Sequence, residues 1–365
     1  MSGPESALAR LRRLLFGKAG AAETAPVEAG PTEAGDGEPV PAATAAPDTG
    51  APWRDLFYTS GDGLRLHVAE YGDPLSPWLP VVCSPGLSRN ARDFHELALH
   101  LSGHPERPRR VLAFDLRGRG LSDRDEDIAH YTPIVEMQDV LDGMAALGVD
   151  RAFVVGTSRG GLIAMLMAVA RPSVIAGAVL NDIGPALEAR GLARLKTYIG
   201  RTPSPDDWED AVRILKRLHG HQFTALDDEA WRKFAWTTWR DDGGVPVGDY
   251  DPALARTFDG IEFDQPLPTL WREFAALATH PLLAIRGENS DILSAETFAR
   301  MGREQPKLEP MVIPGQGHAP LLAGDAILRR LATFMAASEG EEIPKGALIP
   351  RDLPRVGPGP ARPAA

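Results

Sequence analysis

Ser158, His318 and one of three carboxylates, Asp291, Asp182 or Glu288, are the residues whose types and order could make an activated nucleophile. Ser158 sits in Gly156-Thr157-Ser158-Arg159-Gly160, a match to G-x-S-x-G. A tight strand-to-helix turn of this kind exposes the hydroxyl, and side chains at the flanking glycines would collide with the neighbouring strand and helix. The context fits: "AFVV" precedes the turn, and "GLIAMLMAVARP", apolar all round as a buried helix is, follows it.

A serine hydroxyl is a poor nucleophile near neutral pH and needs a base, which in turn needs an orienting carboxylate. Of nine histidines, His219, His221, His280 and His318 follow the serine. His318, in "VIPGQGHAPLL" between the last strand and the last helix, is the expected base. For the acid, Asp291 in "LLAIRGENSDILS" ranks first, Asp182 after "AVLN" second and Glu288 third. A tetrahedral intermediate needs two backbone N–H donors for its oxyanion. The expected donors are Arg159, next to the nucleophile, and Leu87, in the loop "PGLSRNARDF".

Elements able to position these groups are visible in the alternation of short β-rich runs with longer helical patterns. "PVVCS", "RVLAFD", "AFVVG", "AGAVLND", "PLLAIRG" and "PMVIPG" are largely continuous apolar runs, as parallel strands covered on both faces must be. Near the start, "SGDG" between two strand candidates signals a hairpin. The expected fold class is therefore α/β, a mostly parallel sheet of about eight strands flanked by helices. The stretch 184–279 breaks the rhythm with helical periodicity and holds five of the seven tryptophans. It reads as an inserted helical cap, with 53–183 and 280–338 as the core. Residues 1–52, poor in apolar side chains, read as a disordered extension, and 339–365 as a Pro-rich flexible tail. Within the extension, "SALARLRRLLFGK" (6–18) is a short amphipathic segment that leaves room for a transit peptide or a membrane-surface contact.

Composition narrows the partners. The net charge of −11 argues against nucleic acid, whose phosphates want a basic surface. Cys83 is the lone cysteine, so no internal disulfide forms, and no apolar run is long enough for a membrane span. "HELALH" (95–100) misses the H-E-x-x-H spacing by one residue, and no dinucleotide or phosphate loop stands where a strand and helix would support it. The expectation is no cofactor, no metal, a small-molecule acyl substrate and a cytoplasmic location, with the oligomeric state open.

Together, "SPGLSRNARDF", "FDLRGRGLSD", "VGTSRGGL", "RGENSDIL" and "PGQGHAP" resemble the α/β-hydrolase superfamily over about 57–336. The resemblance implies a Ser158–Asp291–His318 triad with Leu87 and Arg159 as oxyanion donors. Pro85-Gly86 stands where many members carry His-Gly, and Ser rather than Asp as nucleophile argues against epoxide hydrolases and haloalkane dehalogenases. The expected activity is hydrolysis of a small ester, lactone or related acyl substrate through an acyl-enzyme. Carbon–carbon bond hydrolysis of a dienoic or β-diketone acid, acyl transfer, and a catalytically silent binding protein are the alternatives. Arg89 or Arg159 could then bind a substrate carboxylate, and Trp231 and Trp236 are candidates to line an apolar pocket under the cap.

Overall fold

Successive side chains along a strand point to opposite faces, so an all-apolar strand needs cover on both sides. Val81–Ser84, Val111–Phe114, Ala152–Thr157 and Ile175–Asn181 are buried at every position, and helices supply that cover in the computed structural model, which describes residues 44–45 and 52–339. The segment 6–18 and the tail beyond Glu339 lie outside the described residues, as does most of the extension.

The chain runs through β1 (Thr44–Ala45), β2 (Arg54–Thr59), β3 (Arg65–Tyr71), β4 (Val81–Ser84), α1 (His95–Ser102), β5 (Val111–Phe114), α2 (Pro133–Ala146), β6 (Ala152–Thr157), α3 (Arg159–Ala170) and β7 (Ile175–Asn181). The cap follows, with α4 (Ala189–Tyr198), α5 (Trp208–His219), α6 (Asp228–Thr238) and a hairpin of β8 (Trp239–Asp242) and β9 (Val245–Gly248). The chain then returns to the core through α7 (Trp271–Ala275), β10 (Leu282–Gly287), α8 (Ala295–Glu304), β11 (Glu309–Ile313) and α9 (Asp325–Glu339). The main sheet is nine-stranded in the order β1-β2-β3-β5-β4-β6-β7-β10-β11, antiparallel from β1 to β5 and parallel from β5 onward. Two differences from the sequence reading stand out. Thr44–Ala45, assigned to a disordered extension, adds a two-residue edge strand, and the cap, expected to be wholly helical, contains the β8–β9 hairpin.

One face of the sheet packs Val82, Leu112, Val154 and Ala178 against α2 and α3; the other packs Val81, Ala113, Val155 and Val179 against α1 and α9. Helix α3 is buried from Gly160 to Ala168 and stops at Ala170, just ahead of Pro172, which could not continue it. Glu339, assigned to the tail by composition, ends α9 and pairs with the buried Arg109. No helix among the described residues is long and apolar enough to cross a membrane.

The parallel registers set up the site. Ser84 lies opposite Gly156, and Thr157 opposite Asn181, while Gly287 lies opposite Ile313. The loops leaving β4, β6, β7, β10 and β11 thus emerge along one edge, at the carboxyl ends of the strands, where open α/β sheets bind ligands.

Candidate active site

Ser158 sits between β6 and α3 at φ 50°, ψ −109°, a region that L side chains rarely adopt. Its N–H donates to the Asn181 carbonyl oxygen at 3.0 Å, which ties the turn to the neighbouring strand end. The flanking glycines are steric necessities. A Cβ at position 156 would lie 2.3 Å from the Gly160 carbonyl oxygen, and one at position 160 would lie 1.9 Å from that of Ser84. Gly160→Ala is therefore expected to destabilise the protein by about 3 kcal/mol, because the contact is backbone and cannot rotate away. Gly302→Ala, in α8 with nothing within 4 Å of the new methyl, should instead add about 0.5–1 kcal/mol. Urea unfolding of both variants checks the pair.

Ser158 Oγ is 2.8 Å from His318 Nε2, and His318 Nδ1 is 2.8 Å from Asp182 Oδ2. A carboxylate accepts, so Nδ1 carries the proton and Nε2 is left to accept from the serine hydroxyl. Asp182 is fully buried and also accepts from the Gly287 N–H at 2.7 Å and the Ser290 hydroxyl at 2.6 Å. The first-ranked acid, Asp291, is not the one that meets His318. Arg194 of α4 holds it, with Nε to Oδ2 at 2.6 Å and Nη2 to Oδ1 at 3.0 Å. Burial alone would raise the Asp291 carboxyl, but Arg194 outweighs it and holds the group below the usual range. Glu288 caps the Gly315 N–H at 2.8 Å. Asp182 is placed better for a simple reason. It follows Asn181 as Ser158 follows Thr157, on adjacent strands in register, whereas Asp291 lies four residues past the end of β10 and faces the cap. That parallel position in the sequence was the available signal, and Ser290 had none.

Among the described residues, no acceptor takes the N–H of Leu87 or of Arg159. Leu87 belongs to the loop after β4, and a Cβ on its neighbour Gly86 would stand 3.8 Å from Ser158 Cβ. Buried side chains fix that loop: Arg119 Nε donates to the Leu87 carbonyl oxygen at 2.8 Å, and Asp115 Oδ1 accepts from the Ala91 N–H at 2.7 Å. Asp115 also holds His67. Burial works against charge on this imidazole, but Asp115 and Asp55 outweigh it and push it up to about 9. The side chains of the two candidate carboxylate binders are already taken. Arg159 pairs with buried Glu136 at 2.6 Å and donates to the Tyr131 carbonyl at 2.7 Å. Arg89 forks onto Asp93, with Nε at 2.9 Å, and onto Thr237 and Thr238 of α6.

Two cavities, each of about 130 Å³, meet at Ser158 and Leu87. One is almost wholly aliphatic and aromatic and includes Leu162, Ile183, Leu192, Phe258 and Ile261. The other runs under the cap past His318, Arg89, Tyr198, His219, Thr238 and Tyr250. Trp231 and Trp236 line neither. Trp231 is buried between α5 and α6, stacked on Phe234 at 5.9 Å, and Trp236 turns outward against His95 at 5.2 Å. Trp239, at the start of β8, is the cap tryptophan that reaches the second cavity.

This fold and this edge of the sheet are those of an α/β hydrolase, and the chain belongs to the alpha/beta hydrolase family, whose description matches residues 81–330. It is accordingly a hydrolase. It is 31% identical over 274 residues to the 3-hydroxybutyrate-oligomer hydrolase of Cupriavidus necator, covering 72% of this chain and 89% of that protein. It is 28% identical over 234 residues to the 2-(acetamidomethylene)succinate hydrolase of Mesorhizobium japonicum, covering 64% and 79% respectively. The crystal structure of an alpha/beta hydrolase from Novosphingobium aromaticivorans superposes with a TM-score of 0.72 at 40% identity, over 78% of this chain and all but 2% of that one, its coverage being 98%.

Proposed function

We propose that this hydrolase cleaves a small carboxylic ester, lactone or related acyl substrate through an acyl-enzyme on Ser158. The observation that carries the reading is the continuous hydrogen-bonded line from Asp182 through His318 to Ser158 Oγ, each link 2.8 Å. His318 Nε2 takes the hydroxyl proton as the oxygen attacks the carbonyl carbon. The Leu87 and Arg159 N–H groups receive the oxyanion, and Asp182 stabilises the imidazolium. His318 then gives the proton to the departing alcohol oxygen. Water, deprotonated by the same nitrogen, attacks the acyl carbon and releases the acid and Ser158.

Carbon–carbon bond hydrolysis by the same residues is supported by the name of a further relative, the 2-hydroxymuconate semialdehyde hydrolase of Pseudomonas putida, 29% identical over 180 residues that make up 49% of this chain and 56% of that protein. Against it stands the pairing of both candidate carboxylate binders, Arg89 with Asp93 and Arg159 with Glu136. The name of the Cupriavidus necator relative supports an acyl substrate. A fluorophosphonate probe is expected to label Ser158 at one equivalent, read by peptide mass spectrometry. p-Nitrophenyl esters should turn over faster than a dienoic ring-fission acid. No label, or a preference for the dienoic acid, would remove this reading.

A further inference from the structure

Beyond the bond cleaved lies the question of what each half of the substrate looks like, and here the inference rests on the acyl-enzyme reading above. The departing alcohol oxygen must face the group that protonates it, His318 Nε2. His318 lines only the cavity under the cap, whereas Arg159, a proposed oxyanion donor, lines only the aliphatic one. The alcohol half therefore extends under the cap and the acyl half enters the aliphatic cavity.

His219, in the last turn of α5, is an unexplained polar group of the alcohol side, set under the cap, whereas Asn181, whose Oδ1 also lacks a partner among the described residues, lies at the strand end beside Ser158. It is 7% exposed, lines that cavity, and its Nδ1 has no hydrogen-bond partner among the described residues. Its ring is boxed by aromatic faces, Tyr198 at 5.3 Å, Phe234 at 5.8 Å and Phe223 at 6.2 Å. A buried polar atom without a partner is costly unless a ligand satisfies it. We propose that His219 is a specificity residue that hydrogen-bonds the alcohol half of the substrate, and that this half is uncharged and carries an oxygen of its own, a hydroxyl or a carbonyl.

The electrostatics select against a charged alcohol half. Burial, with Arg194, Arg89 and His221 adding to it, pushes the His219 imidazole down to about 3, so it is neutral in the working range. A neutral imidazole offers one donor and one acceptor and so suits a hydroxyl, or through its donor a carbonyl. A carboxylate in the same place would find both nearby guanidiniums engaged, Arg89 forked onto Asp93 and Arg194 onto Asp291. A plain alkyl alcohol would fill the space and leave the imidazole nitrogen unpaired.

The test compares propyl, 3-hydroxypropyl and 2-carboxyethyl esters of the same butyric acid. In the native protein kcat/KM is expected to be at least about tenfold higher for the hydroxypropyl ester than for the propyl ester, with the carboxyethyl ester the poorest. In His219→Phe the hydroxypropyl-to-propyl ratio should fall to near one, and His219→Gln, which keeps a donor and an acceptor, should recover part of it. Fluorophosphonate labelling of Ser158 reports separately on the active site. A native ratio near one, a ratio untouched by His219→Phe, or a preference for the carboxyethyl ester overturns the role of His219 while labelling persists. Loss of labelling in the native protein overturns the acyl-enzyme reading instead. Should His219→Phe fail to fold, the native ratio and His219→Gln decide.

Discussion

Asp182→Asn is expected to lower kcat on an ester by about four orders of magnitude while KM changes little. The carboxylate receives three donors, from His318 Nδ1, the Ser290 hydroxyl and the Gly287 N–H. An amide keeps the shape but supplies one oxygen in place of two. If its NH2 faces His318, the imidazole must turn to the tautomer with the proton on Nε2, and it can no longer accept from Ser158. If its oxygen faces His318, the NH2 is set against the Gly287 N–H. Asp291→Asn is the matched comparison. It weakens a partly buried pair with Arg194 that does not touch His318 or Ser158, so kcat should stay within about tenfold, a change of about 1.4 kcal/mol or less. Steady-state kinetics on the two variants decide between the carboxylates. A larger loss in Asp291→Asn would return the acid's role to the residue ranked first on sequence.

Why the sequence ranks Asp291 ahead of Asp182, the carboxylate that meets His318, is a matter of loop reach. Both Asp182 and Asp291 follow apolar runs, and nothing in the residues themselves says how far a loop advances before its side chain turns back. Asp182 turns at once, with φ 55°, directly beside the serine turn. Asp291 continues four residues beyond β10, into reach of Arg194 on a cap helix whose direction the sequence does not encode. The turn at Ser158 was readable because its requirement is local and steric: glycine at 156 and 160 is demanded by contacts within the same turn and the next strand. The place of His318 within hydrogen-bond reach of Ser158 was readable from order alone, in the last loop of the sheet. The parallel strands were readable because double burial forces continuous apolar runs. The helices between β7 and β10 were readable from the break in strand rhythm, but not in orientation. Trp231 and Phe234, three residues apart, share the face of α6 that packs on α5, and Phe234 also reaches the cavity beside His219, while Trp231 stays inside the helix pair. The β8–β9 hairpin had a signal in Asp242-Gly243-Gly244, whose glycines take φ 62° and 96°, but strands of four residues were overshadowed by the helical periods on either side.

Ser158→Gly is expected to abolish turnover, lowering kcat by about a millionfold, and yet to give a more stable protein than Ser158→Ala. Both variants lose the attacking oxygen, so both should lose fluorophosphonate labelling. They differ in the backbone. At φ 50°, ψ −109° a residue with a Cβ is strained, at a cost of about 1–3 kcal/mol. Alanine keeps that strain. Glycine relieves it and gives back about 0.5–1 kcal/mol through the freer unfolded chain. The Gly variant should therefore exceed the Ala variant by about 1 kcal/mol, a difference of several degrees in Tm at most for a protein of this size. The surroundings hold the turn in either case, since the Ser158 N–H bond to Asn181 and the Gly160 N–H bond to Pro85 are backbone contacts that neither substitution removes. Paired thermal melts provide the measurement. An Ala variant at least as stable as the Gly variant would mean that the turn stores no strain at position 158, and that the exposed hydroxyl costs the fold nothing.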